Sequence, residues 1–477
     1  MIRRLAPFAI ALAAAAIFTA RPTYDPDLFW HLVQGAEVWA GHIVRTNVFS
    51  ATAAAYPQQY TSWAFEALLN GGVRVGGLAA VQALQCLLIA AACLVLYASA
   101  RVRHSATAAM AVLLLSLFVL EPRAMPRPYL VSWIGLGVCA FFVERWSRSA
   151  GGRVPIGALP VVALMAVWAN CHSEAVFGAG LIGLFGVCEW VRPSVLTRAM
   201  AARVVAFGAL GVVATAATPY GIGMWRYLAE NAFVSQGLRI AELQPPSAQS
   251  YPAFFAYLAV LVALLVAQPK RLRLWEVAVG VVFAAMGLRY IRFTPMIVFA
   301  AAPLMAARIE ALIARGWDRR AVFVTVAAVM VISAPASPMR MARAWRLGTA
   351  AVAPPDVFSS GAIAYARAHQ LSGPVFTSMN LGGYVAWMLP EARVFLDSRL
   401  QAYPPQHFTA ILDASASPER WRALVSGLDW AMVSLARPNE LSGVGQFAPD
   451  AWASVFRDRA VEIFVRRNGR YASAISR

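Results

Sequence analysis

The densest run of chemically capable side chains is Tyr24-Asp25-Pro26-Asp27-Leu28-Phe29-Trp30-His31. Two carboxylates two residues apart repel one another, so the pair favours a proton or a cation. Such a pair suits a general base, or a ligand set for a divalent cation such as Mg or Mn, although the chemistry below does not require a metal. The plainer alternative makes Asp27 a helix N-cap and Asp25 a solvated turn residue.

Other polar groups follow at intervals: His42, Arg45 and Glu66; then Glu121, Arg123 and Arg127; Asn170, His172 and Glu174; Tyr220, Arg226 and Glu242; and Arg289 and Arg292. Guanidinium groups bind phosphate oxygens bidentately, so these arginines suit a lipid phosphate or pyrophosphate. Taken singly, each could instead snorkel or pair with a carboxylate. Asp397 and Arg399, in Phe395-Leu396-Asp397-Ser398-Arg399, could bind a sugar hydroxyl or an acceptor, or pair with each other across a loop. No Walker loop, GxSxG or HExxH occurs, which leaves nucleotide hydrolysis and the common hydrolase chemistries without support.

The elements that must carry these groups are apolar. Of 477 residues, 60% are hydrophobic and 13% charged, against roughly 45–50% and about 25% in soluble domains. The chain is expected to be an α-helical polytopic membrane protein. About eleven spans are predicted, near 4–20, 78–98, 106–121, 129–144, 154–170, 174–190, 203–218, 252–268, 275–290, 294–312 and 321–337. The net charge of +18 comes from arginines in alternate short loops, as the positive-inside rule predicts, and nucleic acid is not an expected partner. That rule puts the N-terminus in the cytoplasm and the polar groups above on the opposite face. The first span could be a cleaved signal, but a retained helix is the expectation. The five cysteines lie in or beside apolar runs with no CxxC pair, and read as small core residues.

Residues 1–340 therefore form a membrane domain whose first outer loop, 21–77, carries two amphipathic interfacial helices, around 28–39 and 63–69. From about 350 to 477 the pattern changes. Strand-like runs at 374–377, 393–396, 430–434 and 460–465 alternate with helical stretches, which predicts a small α/β domain on the periplasmic side.

The order of these motifs resembles the GT-C superfamily, integral-membrane glycosyltransferases that use polyprenyl-phosphate-linked sugars. The resemblance rests on Asp25-Pro26-Asp27-Leu28-Phe29-Trp30-His31, Arg45-Thr46-Asn47-Val48-Phe49-Ser50, Trp63-Ala64-Phe65-Glu66, Arg127-Pro128-Tyr129, Trp168-Ala169-Asn170-Cys171-His172, Pro219-Tyr220-Gly221 and Gly382-Gly383-Tyr384. It departs at His172-Ser173-Glu174, where His-Gly-Gly is expected, and at Ala64-Phe65-Glu66-Ala67, where His-Glu-Trp-Leu is usual. The resemblance implies inverting transfer of a sugar to a lipid, glycan or protein acceptor of the cell envelope, at the outer face of a bacterial inner membrane and among its lipids. Asp25 or Asp27 would be the catalytic carboxylate. Arg123, Arg127, Arg289 and Arg292 would bind the donor phosphate. His31, Glu66, His172, Glu174, Tyr220, Asp397 and Arg399 would support the acceptor. A transporter or flippase for lipid-linked sugars, and a non-catalytic envelope-assembly subunit, are the alternative readings.

Overall fold

A chain this apolar can satisfy its backbone polar groups in lipid only through helices, and the computed structural model is mostly helical. It describes residues 2–20, 24–147, 159–237, 241–268, 272–316, 352–436 and 441–475, with the isolated positions 318, 324 and 346. The first helices are α1 (Ile2–Thr19), α2 (Asp27–Trp39), α3 (Trp63–Arg101), α4 (Ala106–Leu120) and α5 (Tyr129–Trp146). Then come α6 (Leu159–Cys171), α7 (Ala175–Val191), α8 (Arg198–Ala214), α9 (Gly223–Gly237), α10 (Pro252–Val266), α11 (Leu274–Arg289), α12 (Met296–Ala300) and α13 (Ala302–Ile313). Among the described residues three helices are long and apolar enough to cross a membrane, at Trp63–Arg101, Ala106–Arg123 and Tyr129–Trp146. The pair Ile291–Ala300 and Ala302–Ile313, bent by 54°, makes a fourth if taken as one span. Helices occur at the first ten predicted spans, but several are short, and the count of eleven crossings is not confirmed. The predicted span 321–337 lies outside the described residues.

The chain divides into two compact units. The first comprises Met1–Arg21, Gln82–Leu228 and Gln236–Ala342. Its interior is mostly apolar, with Leu113, Trp133, Trp168, Phe185 and Phe299 among the buried side chains. Polar groups buried there include two closely paired sets: Arg308 Nη2 donates to Glu276 Oε2 at 2.7 Å, and Gln85 Nε2 to the Ala124 carbonyl at 2.7 Å.

The second unit comprises Pro22–Val81, Ala229–Ser235 and Arg343–Arg477. The first outer loop, assigned from sequence to the membrane domain, thus packs with the C-terminal domain. The cause is edge pairing. Ala51 N donates to the Val394 carbonyl at 2.9 Å and Val394 N to the Phe49 carbonyl at 3.1 Å, so the loop runs along a free sheet edge. After α14 (Ser360–Ala368), the chain forms β1 (Gly373–Thr377), α15 (Gly382–Met388), β2 (Ala392–Val394), α16 (Pro405–Ser415), α17 (Pro418–Leu424), β3 (Trp430–Ser434), β4 (Trp452–Arg457) and β5 (Val461–Arg466). The sheet order is β2-β1-β3-β5-β4. β1 lies parallel to β2 and β3, and β5 antiparallel to β3 and β4. The four strand-like runs match β1, β2, β3 and β5. The edge strand β4 and the short helix α15 were not anticipated.

Helix α15 explains the Gly382-Gly383-Tyr384 motif. A Cβ on Gly382 would stand 2.2 Å from the Leu396 carbonyl oxygen and 2.5 Å from Asp397 Cβ; one on Gly383 would stand 3.0 Å from Trp30 N. The glycines let α15 touch both the β2 end and the start of α2. Gly382→Ala is expected to cost about 1–3 kcal/mol through overpacking against backbone that cannot yield, read as a lower midpoint in thermal unfolding.

Candidate functional site

In the helical unit, four connecting segments bring charged side chains together. Glu121-Pro122-Arg123 forms a tight 3-10 turn that closes α4, and Arg127 follows before α5. The turn from α6 to α7 carries His172 and Glu174, Ala241–Leu243 carries Glu242, and Ile291–Phe293 carries Arg292. A hydrogen bond from Ile291 N to the Gln244 carbonyl, 2.9 Å, ties the last two segments.

Glu242 is the hub. Its Oε2 lies 2.9 Å from Arg123 Nη2 and 3.7 Å from Arg127 Nη1. Burial works to raise its pKa, but Arg123, Arg292 and Arg127 outweigh it and hold the carboxyl at about 2 instead of the ordinary 4.5. Arg292 Nη2 stands 3.7 Å from Glu174 Oε1, and Glu174 Oε2 stands 3.2 Å from His172 Nδ1. Ser132 Oγ meets the same His172 nitrogen at 2.8 Å and accepts a 2.9 Å bond from Trp168 Nε1. Arg123 also stacks on Tyr129, 4.8 Å from the ring centre. Arg123 and Arg127 thus face Glu242, and Arg292 faces Glu174. The Nε of Arg292 is buried with no hydrogen-bond partner among the described residues, so a donor remains for an anionic ligand.

Because its pKa is depressed, the stabilisation from Glu242 is present above about pH 4.5 and is lost as pH falls through about 2. Glu242→Gln is therefore expected to lower the unfolding temperature at neutral pH. The gap from the parent chain should close as pH falls toward 2, because protonation then does what the substitution does; unfolding midpoints across pH check this.

The second unit holds the carboxylates of the first loop. Asp25 is buried, 1% exposed, and its Oδ1 accepts the Asp27 N–H at 3.0 Å. The expectation of Asp27 as N-cap is thus corrected: Pro26 occupies the cap position, Asp25 satisfies a free N–H of the first turn, and Asp27 opens the helix, half-buried. One turn on, His31 Nδ1 stands 3.1 Å from Glu66 Oε1, both buried. With its amide oriented to suit its neighbours, Gln34 donates to Glu66 Oε1 at 3.0 Å and accepts from Gln58 Nε2 at 2.9 Å. Arg399 Nη1 donates to Gln58 Oε1 at 3.3 Å, and Arg399 Nη2 to Asn47 Oδ1 at 3.0 Å and to Asp397 Oδ2 at 2.5 Å. Tyr403 donates to Asp397 Oδ2 at 3.0 Å. A buried polar chain thus runs from His31 to Asp397.

Of the residues singled out from sequence, Arg123, Arg127, Arg292, His172 and Glu174 gather in one unit, and Asp25, Asp27, His31, Glu66, Asp397 and Arg399 lie in the other. Carboxylates pair the three clustered arginines, as the plainer reading of each anticipated. Arg289 is exposed and stacks on Tyr290, 4.6 Å from the ring centre, with no ion pair among the described residues. Tyr220 is buried in the turn before α9. The central place of Glu242, and the parts played by Ser132, Gln34, Gln58 and Asn47, were missed. A polar residue recurring on an otherwise buried face, as Gln34 does one turn after His31, was the available signal.

For a divalent cation, the start of the first loop offers Asp25 and Asp27, the former already bonded to backbone. Among the described residues no three His, Cys, Asp or Glu side chains gather to hold a metal. Mg usually takes one or two carboxylates from a protein and fills its shell with water and substrate phosphate, and Asp25 and Asp27 are the groups that would hold it.

No family model and no curated protein matches the sequence. Solved structures do. The oligosaccharyltransferase of Archaeoglobus fulgidus, solved with a tethered acceptor peptide, superimposes with a TM-score of 0.56 at 10% identity, covering 90% of this chain and 69% of its own. The same enzyme has been solved with Zn and sulfate (TM-score 0.54, 10% identity, 89% of this chain and 68% of its own). ArnT of Cupriavidus metallidurans, bound to undecaprenyl phosphate, gives a TM-score of 0.55 at 15% identity and covers 96% of this chain and 97% of its own. The chain has the GT-C fold. Its mostly helical part is joined to a small sheet domain.

Proposed function

We propose that the protein is a glycosyltransferase that moves a sugar from a polyprenyl-phosphate-linked donor to a cell-envelope acceptor, at the periplasmic face of a bacterial inner membrane. The observation that carries this reading is the cluster of Arg123, Arg127 and Arg292 on a GT-C fold. The arginines hold the donor phosphate and stabilise the charge that grows on it. The acceptor hydroxyl oxygen attacks the anomeric carbon and forms the new C–O bond. The bond from that carbon to the phosphate oxygen breaks, its electron pair leaves with the polyprenyl phosphate, and the anomeric centre inverts. A carboxylate of the first loop takes the acceptor proton. We assign that role to Asp27, because Asp25 is more deeply buried and one of its oxygens already holds the Asp27 N–H. Asp25 fixes the helix start, so Asp25→Asn, whose carbonyl oxygen can still accept that bond, should impair turnover far less. No step is routed through a metal.

Arg123→Gln and Arg292→Gln are expected each to weaken binding of a polyprenyl monophosphate about tenfold or more, the worth of a charge-assisted bond. Titration of farnesyl phosphate into the detergent-solubilised protein reads this; unchanged affinity in both variants would remove the phosphate site.

A further inference from the structure

We infer that Glu242 stands in for the lipid phosphate: its carboxylate occupies the phosphate's place between Arg123 and Arg127, and the donor binds by displacing it. The inference rests on the transferase reading and adds to it a control on the same site. One carboxylate oxygen, Oε2, lies 2.9 Å from Arg123 Nη2 and 3.7 Å from Arg127 Nη1. An oxygen shared by two guanidinium groups is the arrangement in which such groups also take a phosphate oxygen. Guanidinium N–H groups point outward in the plane of the group, so oxyanions bind at its edges. Tyr129 covers a face of Arg123, 4.8 Å from the ring centre, and Glu242 holds the edge at Nη2. Carboxylate and phosphate therefore compete for one position.

Exposure and chain path both suit an exchangeable acid. The Glu242 side chain is 28% exposed, against 11% for Arg123 and 16% for Arg127, so solvent reaches the acid more readily than the bases it faces. The two arginines belong to the short connection between α4 and α5, which the turn Glu121–Arg123 begins. Glu242 arrives from a separate stretch, the three-residue turn Ala241–Leu243, none of whose residues is buried. A segment with so little buried surface opens locally at low cost. The bond from Ile291 N to the Gln244 carbonyl lies beyond that turn and can persist while the Glu242 side chain swings out. No covalent bond is made or broken in the exchange: the arginines trade one oxyanion for another, and the released carboxylate is hydrated. The stabilisation that Glu242 lends the empty protein is surrendered on binding, so the acid works against the ligand it resembles.

The test measures binding of farnesyl phosphate to the full chain and to Glu242→Gln, in detergent at neutral pH. Hydrogen exchange of the 241–244 amides is followed in the parent chain with and without the lipid. Glu242→Gln should bind about tenfold tighter, the worth of a bond to a charged group, although the same change lowers the unfolding temperature. In the parent chain the lipid should speed exchange at 241–244, because the turn loses its hold on the arginines. Affinity decides where the variant unfolds cooperatively and so is folded; exchange in the parent chain decides where it does not. Weaker or unchanged binding in the folded variant overturns the inference and makes Glu242 a residue that positions the arginines, while the phosphate site stands. Where exchange decides, slower or unchanged exchange overturns it in the same way. Farnesyl phosphate bound by neither protein overturns both the inference and the phosphate site.

Discussion

Asp27→Asn is expected to cut the rate of sugar transfer about a hundred- to ten-thousand-fold, the usual worth of a positioned general base, while leaving donor binding intact. The substitution preserves shape and removes the one property the step needs, a carboxylate that accepts a proton. It leaves the Asp25 bond to the backbone N–H of residue 27 in place, so the helix start should persist. Losing the negative charge in the first turn of α2 costs a few tenths of a kcal/mol to about 1 kcal/mol through the helix dipole, too little to unfold the loop. The signature is a fall in kcat with an unchanged affinity for lipid phosphate. A parallel loss in Asp25→Asn of equal size would move the base to Asp25; full activity in both would remove the first-loop carboxylates from the chemistry.

The second large effect is on stability. Arg399→Ala should destabilise the sheet unit by about 3–5 kcal/mol, because it leaves Asp397 charged and buried. Asp397 and Arg399 are each 1% exposed, and the guanidinium is shared among Asp397, Asn47 and Gln58. Removing it orphans groups contributed by both the first loop and the C-terminal domain, so the loop should loosen with it. Asp397→Asn combined with Arg399→Met should cost much less than the two single changes added together, since neither charge is then left alone. Thermal and denaturant unfolding in detergent distinguish this from a binding role. An acceptor-binding pair would show near-parental stability with a raised KM for acceptor.

The helical part of the fold was legible because apolar runs in lipid leave the backbone no alternative. The number of crossings was not, since α6, α7 and α10 are shorter than a full bilayer span and only packing can fix their course. The sheet domain could be read from Val375, Met432 and Ile463 and their neighbours, whose runs are buried on central strands. Strand β4 was invisible because it sits at the sheet edge, with register slipping between Ser454 and Phe456. Individual site residues stood out wherever a charge interrupts an apolar run, as at Arg123, His172 and Arg292. Their partners did not: Glu242 lies 119 positions from Arg123 in the sequence, and Gln58 meets Arg399 only through the loop that borders β2. Those pairings are made by tertiary closure, which local spacing does not encode. The same holds for Asp25, whose cap role depends on the backbone turn at Pro26.

The measurement that bears most directly on the account follows donor and products together, with purified protein in detergent and radiolabelled polyprenyl-phosphate sugars incubated with cell-envelope acceptors. Equal amounts of glycosylated acceptor and free polyprenyl phosphate are expected, both abolished in Asp27→Asn and strongly reduced in Arg292→Gln. Lipid that binds yet is never cleaved, across a panel of sugars and acceptors, would contradict it and return the protein to the class of flippases or assembly subunits.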